Sequence, residues 1–413
     1  MPTRALVALV AAVALTLAAC ANGPSTPKPS GADAVIVVSA PFAGLPSVAR
    51  PIERGVRLAV EQINGAGGVA VEGRRVRLRV QLADDQSSPG VAAANIRHAA
   101  GIGAVAVVSE GTGVDAGWQD ADRAGMPIGI TYDGDEELVD PAGRPNVFRV
   151  APTNRGASFR LAEYLVPKGL RFALLHDDSP YGTAGGRALD KAFVRNRPSV
   201  TADLQASAAP GGDPAPQVLQ ARQSGANALV VWASPPVLAA TIRAARQAGW
   251  QVPIYASTTG EDPLVRQQLA DHPQWLDGLT FVSSRLTSEK GPKPFETYRQ
   301  AYEKRFGPDK VGVTSGGRAV IAPPDWAMYA YDFANLVADA MHRSGAARAS
   351  AELVKGMSQA EILGANGDER SFNEKNHEGV VDDDIFFATF RDMVWTPVKD
   401  DPLSATLPPV PQT

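Results

Sequence analysis

From residue 34 to residue 398 the chain alternates short apolar runs with longer amphipathic stretches. Ala34-Val35-Ile36-Val37-Val38 contains no polar residue, the composition of a strand covered on both faces. After it, Ile52, Val56, Ala59, Val60 and Ile63 share one helical face that ends at Asn64-Gly65. Val76, Leu78, Val80 and Leu82 then alternate with Arg77, Arg79 and Gln81, which predicts a strand with one wet face. Further strands are expected at 104–108, 127–131, 172–176, 228–232, 252–255 and 279–282, and helices at 154–166, 183–195, 236–248, 293–305 and 326–342. Strand followed by helix, repeated this often, predicts an α/β fold of parallel sheets with helices on both faces. One sheet of so many strands would be unusually large, so two Rossmann-like lobes are expected.

The ends of the chain read differently. Arg4 precedes an unbroken Ala, Leu, Val and Thr run from Ala5 to Ala19, which leads through Leu17-Ala18-Ala19 into Cys20. The run has the length of a signal-peptide core and falls short of the ~20 residues of a spanning helix. It resembles the lipobox of bacterial lipoproteins, which implies cleavage before Cys20 and lipidation of its thiol. An uncleaved anchor and a secretory signal with an incidental cysteine are the alternatives, and all three export the body of the protein. Residues 21–31 are rich in Pro, Gly and Ser and read as a tether, and the proline-rich end as a loose tail.

Composition narrows the function. With 44% hydrophobic and 20% charged residues the body has the balance of an ordinary globular protein. A net charge of −4 and the lack of a basic cluster argue against nucleic acid as a partner. Cys20 is the only cysteine, so no intrachain disulfide forms and stability must come from packing.

Several segments together resemble the type I periplasmic solute-binding proteins of ABC importers, in particular the branched-chain amino-acid-binding proteins. They are the block from Ala34 to Pro41, the helix ending in Ile63-Asn64-Gly65-Ala66-Gly67-Gly68, and strands ending in Asp84-Asp85-Gln86 and Val108-Ser109-Glu110-Gly111-Thr112. His176-Asp177-Asp178-Ser179-Pro180-Tyr181-Gly182 and the run from Ala228 to Gly249 complete the likeness. The resemblance implies two lobes joined by three crossovers and a ligand enclosed by hinge closure. The expected division is a signal peptide over 1–19 and a lipidated tether over 20–32. A first lobe takes 33–150 and 284–376, a second takes 151–283 and 377–398, and a tail takes 399–413. The crossings are expected near 147–154, 281–286 and 373–381. An ABC permease with its ATPase subunits is the implied partner, reached by an extracytoplasmic receptor held at the membrane by its lipid. A monomer without cofactor or metal is expected. A ligand sensor of the same fold and an exported two-lobed enzyme are the rival readings.

Independently of the family, small molecules in open parallel sheets bind beyond the C-terminal strand ends. That rule selects Ser39 and Phe42 after the first strand, then Ser109, Gly111 and Thr112, then Thr131 and Tyr132. From the facing lobe it selects Tyr181, Ser234, Thr259 and Glu261. The resemblance implies that the loops at Ser109–Thr112 and Thr131–Asp133 hold an amino acid's carboxylate and ammonium, that Tyr181 closes over it, and that an acid near Glu261 pairs with the ammonium. The chain departs from the family pattern at three places: the first loop lacks a Ser-Gly pair, Gly111 and Gly113 flank a single Thr112, and Thr258-Thr259 stand where an acid is expected. Amino acids, short amides, aromatic acids and polyols therefore all remain open. Trp118, Trp232 and Trp326, if exposed, offer faces to an aromatic or polyol ligand; if buried, they belong to the core.

Other chemistry finds little support. Gly111-Thr112-Gly113-Val114-Asp115-Ala116-Gly117 misses the dinucleotide spacing by one place. The five histidines are scattered, and neither Asp133–Glu137 nor Asp382–Asp384 matches a calcium loop, so solvated acidic turns are expected there. No GxSxG elbow supplies a nucleophile.

Overall fold

The structure, a computed structural model, describes residues 33–196, 199–284, 293–307, 314–315, 318–319, 323–391 and 394–405. The leader, Cys20, the whole tether and the end of the tail lie outside the described residues.

The first sheet is wholly parallel. It comprises β1 (Ala34–Ala40), β2 (Leu78–Asp84), β3 (Ala106–Ser109), β4 (Ile128–Ile130) and β5 (Val147–Arg149), in the order β2-β1-β3-β4-β5. Val38 stands opposite both Leu82 and Val108, and Ile36, Val38 and Val108 are fully buried between helical layers. α1 (Pro46–Gly65), α2 (Pro89–Gly101) and α3 (Val114–Ala124) follow the first three strands. The end of α1 is fixed by Asn64, whose side chain donates to the Leu78 carbonyl (2.8 Å) and accepts from the Leu78 N–H (2.9 Å). This clasp explains why the alternating stretch 76–82 is not one strand. Arg74–Val76 pairs backwards with Val69–Val71 as a small hairpin, and β2 begins afresh at Leu78 as a sheet edge.

The second sheet comprises β6 (Arg171–Asp177), β7 (Ser199–Ala206), β8 (Ala228–Trp232), β9 (Ile254–Ala256), β10 (Leu279–Ser283), β11 (Phe386–Arg391) and β12 (Val394–Pro397). Its order is β12-β11-β10-β9-β8-β6-β7, parallel from β10 to β7 and antiparallel at the two C-terminal strands. α4 (Asn154–Leu165), α5 (Pro180–Asn196), α6 (Ala215–Gln223), α7 (Pro235–Gln247) and the short α8 (Pro263–Gln268) belong with it. The chain then returns to the first sheet, where α9 (Lys293–Phe306) and α10 (Asp325–Ser344) pack on α1. The α1–α10 approach is close enough that a Cβ at Gly55 would stand 2.0 Å from the Ala327 carbonyl oxygen.

Three connections link the sheets. The first follows β5, the second leaves β10 at Ser284, and the third runs from Val380 toward β11. Residues 147–149, expected to be crossing, form β5 because Val147 pairs with Ile128. The first and third connections run side by side. Arg149 N–H donates to the His377 carbonyl (2.9 Å) and Gly379 N–H to the Arg149 carbonyl (2.8 Å). The fully buried Arg149 guanidinium donates to both Glu378 carboxylate oxygens, at 2.8 and 2.6 Å, and to the carbonyls of Asp133 and Asp135. One arginine thereby ties two crossings to the loop after β4.

Candidate functional site

The loops beyond the strand ends of the two sheets meet in a cleft with two chambers. The outer one, about 140 Å³, is lined from the first lobe by Pro41, Leu45, Val48, Glu110, Thr112 and Asp133, and from the second by Ser179, Pro180 and Ser234. The inner one is about 10 Å³, room for one water-sized group, and is lined by Thr131, Asn154, Trp232, Thr258, Asp325 and Trp326 among others. Tyr132 and Tyr181 line both chambers.

Local sequence explains how each tyrosine arrives. Tyr132 follows β4 directly, with its ring 5.3 Å from Trp326 in an edge-on contact. Tyr181 sits in the first turn of α5, which lies tight against the sheet: a Cβ at Gly185 would stand 2.1 Å from the Trp232 indole. The Tyr181 hydroxyl donates to Ser257 Oγ (3.0 Å) and lies 3.3 Å from Thr258 Oγ1, which fixes the ring over the cleft. Burial pushes the Tyr181 phenol up to about 12 and that of Tyr132 well above its ordinary value, so both remain neutral donors. The rings Trp326, Tyr132, Tyr181 and Trp232 form a continuous series across the cleft.

Carboxylates supply the charge. Glu110 is 7% exposed; burial, then the neighbouring Asp85, pushes it up to about 8. Its Oε1 accepts from the Thr112 N–H (3.2 Å), while Ser109 Oγ accepts from the Gly111 N–H (3.0 Å). Two of the backbone donors with which this loop would greet an anion, those of Gly111 and Thr112, are therefore already taken. Asp133 is raised to about 6 by burial, opposed by the Asp135 N–H and by Arg149. Asp325, at the first residue of α10, is 1% exposed and raised to about 6 by burial. Its Oδ2 accepts from Ser284 N–H (2.8 Å), Ser283 Oγ (3.3 Å) and the Tyr329 hydroxyl (3.4 Å), and the carboxyl is also hydrogen-bonded to that of Glu261.

Of the residues selected from sequence, Thr112, Thr131, Tyr132, Tyr181 and Ser234 come together around the chambers. The other six are not among the lining residues. Ser39 accepts from Asn95 Nδ2 (3.1 Å), and Phe42 packs against the first lobe's core. Ser109 braces its own loop and accepts at its carbonyl from the Thr131 hydroxyl (3.4 Å). Gly111 adopts φ +137° with no room for a Cβ beside Asp133, so packing accounts for the glycine. Thr259 Oγ1 lies 2.9 Å from Ser257 Oγ, and Glu261 Oε2 accepts from Ser283 Oγ (3.4 Å). Trp232 and Trp326 are buried at 2% and 1% exposure, yet both border the inner chamber; Trp118 packs under the Arg144 guanidinium instead. Asn154 and Asp325 were not foreseen from the sequence, and Glu110 and Asp133 were not singled out within their loops. Glu110 and Asp133 lie within the loops that the strand-end rule selects.

A family model described as periplasmic binding protein matches residues 34–392. A Leu/Ile/Val-binding protein homolog 7 from Brucella suis is 31% identical over 188 residues, which cover 42% of this chain and 44% of that protein, so the match spans under half of the relative. Among solved structures, a type 1 periplasmic binding protein from Bordetella pertussis superposes with a TM-score of 0.78 at 20% identity, covering 89% of this chain and all of the other. The branched-chain amino acid transporter substrate-binding protein LivJ of Streptococcus pneumoniae, in complex with isoleucine, gives 0.74 at 20% identity over 88% and 98% of the two chains. A solute-binding protein of an ABC transporter from Rhodopseudomonas palustris, in complex with 3,4-dihydroxybenzoic acid, gives 0.70 at 16% identity over 88% and 95%.

Proposed function

The chain belongs to the periplasmic binding protein family, and from that premise we propose that it is an extracytoplasmic receptor that captures a small polar molecule between its lobes and presents it to an ABC permease. The observation that carries this reading is the cleft itself. Side chains from both lobes, Tyr132 from one and Tyr181 from the other, wall the same two chambers, so a molecule held there binds the lobes together. Burying it between them rewards closure, and the crossing strands beside Arg149 act as the hinge. In this reading the first lobe is 33–150 with 284–376 and the second is 151–283 with 377–398. Residues 1–19 are a signal peptide, and lipid on Cys20 holds the receptor at the membrane. The ligand is bound and released with its bonds unchanged. The relatives named above bind chemically different ligands, a branched-chain amino acid and a dihydroxybenzoic acid, so the fold alone does not choose between these classes for this chain.

A thermal-shift screen of amino acids, amides, amines, aromatic acids and polyols tests the reading. A compound present at about 100 times its Kd adds about 2.7 kcal/mol and raises the melting temperature. A flat response across all classes contradicts the receptor function. Replacing Cys20 with serine is expected to release the protein from membranes, and retention would refute the lipid anchor.

A further inference from the structure

The first sheet has two ends, and the cleft uses only one of them. The first-lobe loops that line the chambers follow the C-terminal ends of β1, β3 and β4. All five strands are parallel, so their N-terminal ends form the opposite, outer end of the lobe. The chain enters the body there: Ala34, the first residue of β1, donates its N–H to the Arg77 carbonyl (2.9 Å). Residues 21–32 separate Cys20 from Asp33, a stretch that spans at most about 45 Å.

Positive charge gathers at this end. Arg74 and Arg75 stand in the hairpin that pairs with Val69–Val71, Arg77 follows it, and Arg79 lies in β2 opposite Val35. All four are exposed. Elsewhere on the surface arginines are matched by acids, as Arg57 is by Glu53, Arg243 by Asp271 and Arg343 by Asp339. None of the four is ion-paired among the described residues; Arg75 donates to the Gly68 carbonyl (3.0 Å), which leaves its charge unneutralised. Glu72 in the hairpin turn and Asp33 are the acids that accompany them in the chain, so the stretch keeps an excess of positive charge in a protein of net charge −4. No basic cluster is expected from the composition, yet the fold makes one by setting the hairpin and the start of β2 beside the point of entry. Val76 and Leu78 are buried, so the core takes the apolar residues of this stretch and what remains for a partner is charge.

Resting on the reading of a lipid-anchored receptor, we propose that this end of the first lobe is a docking surface for an anionic lipid bilayer. A cluster of basic residues beside a membrane anchor suits acidic head groups; each arginine is worth about fivefold in partitioning near the surface, and salt screens the attraction. The lipid on Cys20 supplies attachment, and the arginines supply orientation. With this end down, the first lobe lies against the membrane, and the cleft and the second lobe stand away from it, toward arriving solute. An attraction that rests on charge alone is reversible, so the receptor can leave this pose to meet its permease.

Vesicle co-sedimentation tests this. The purified native protein is expected to sediment with phosphatidylcholine vesicles, which reads the lipid anchor alone. The Cys20→Ser protein is expected to bind vesicles of phosphatidylcholine mixed with phosphatidylglycerol ~100-fold more tightly than phosphatidylcholine vesicles, and to leave them in ~0.5 M NaCl. Arg74 and Arg77 make no side-chain hydrogen bond among the described residues, so adding Arg74→Gln and Arg77→Gln is expected to cost roughly 25-fold in that binding with an unchanged melting temperature. Equal binding of the Cys20→Ser protein to the two vesicle types, or anionic binding unchanged by the arginine substitutions, overturns the proposal and leaves the anchor in place. Native protein that ignores phosphatidylcholine refutes the anchor instead, and the arginine comparison still decides the surface. Self-association without vesicles that is lost with the same arginines would give this face to a second copy and also overturn the proposal.

Discussion

Tyr132 of the first lobe lies 5.3 Å from Tyr181 of the second, ring centre to ring centre, with the planes 31° apart. The two rings line both chambers and bring an aromatic wall of each lobe into contact across the cleft. Tyr181 reaches this place because α5 packs flush on Trp232 and because Ser257 and Thr258 hold its hydroxyl. Removing the ring takes away a wall of both chambers and leaves the sheets beneath intact.

Tyr181→Ala is therefore expected to weaken the best compound of the thermal-shift screen by ~10-fold or more, the effect of losing a buried aromatic anchor. Tyr181→Phe, which keeps the wall and drops the hydroxyl, is expected to lose much less. Titration calorimetry reads both, and equal affinities in all three proteins would remove Tyr181 from the site.

The paired crossings beside Arg149 make a separate demand. Arg149 is fully buried and bonds Glu378 through Nε and Nη2, and its Nη1 satisfies the carbonyls of Asp133 and Asp135. Arg149→Met strands a carboxylate and two carbonyls together, which costs about 3–5 kcal/mol for a broken buried pair. Urea unfolding of the ligand-free protein measures this, and a loss below about 1 kcal/mol would show that the pair does not brace the crossings.

Glu110 gives a pH dependence of definite sign. Its folded-state value, about 8, lies above the unfolded value of 4.5, chiefly through burial. The folded protein thus holds a proton that the unfolded chain releases between those limits. The stabilisation is complete below about 4.5 and is lost as pH rises through 8. Asp85, raised by burial as well, acts in the same direction. Glu110→Gln keeps the acceptor for Thr112 without the titration. Its unfolding free energy is expected to fall less steeply than that of the parent between pH 5 and pH 9, and parallel profiles would contradict the assignment.

The parts of the fold legible in sequence were those whose burial is continuous along the chain. Ile36, Val37 and Val38 are covered on both faces and read as a strand without context. β7 did not, because as a sheet edge it alternates half-buried and exposed residues and carries no apolar run. β5 is three residues long and owes its strand character to Val147 pairing with Ile128. The site divides in the same way. Tyr181 and Thr131 follow from the rule that ligands gather at strand ends, which needs only local order. Asp325 does not, since an acid at a helix start reads as a favourable terminal charge. Its burial beside Ser283 and Ser284 arises only where the second crossing leaves β10 and α10 has returned from far along the chain. Glu110 lay inside a quoted motif, but a side chain that folds back on its own loop cannot be told from one that faces a ligand without coordinates.

Closure of the lobes on a captured molecule is the central claim, and small-angle X-ray scattering with and without the best-stabilising compound tests it most directly. In the structure Tyr132 already touches Tyr181, so the lobes stand together. The ligand-free protein is expected to scatter as a more extended particle than this arrangement, and saturation is expected to reduce the radius of gyration to the value calculated from it. Identical curves with and without a compound that raises the melting temperature would contradict capture by closure.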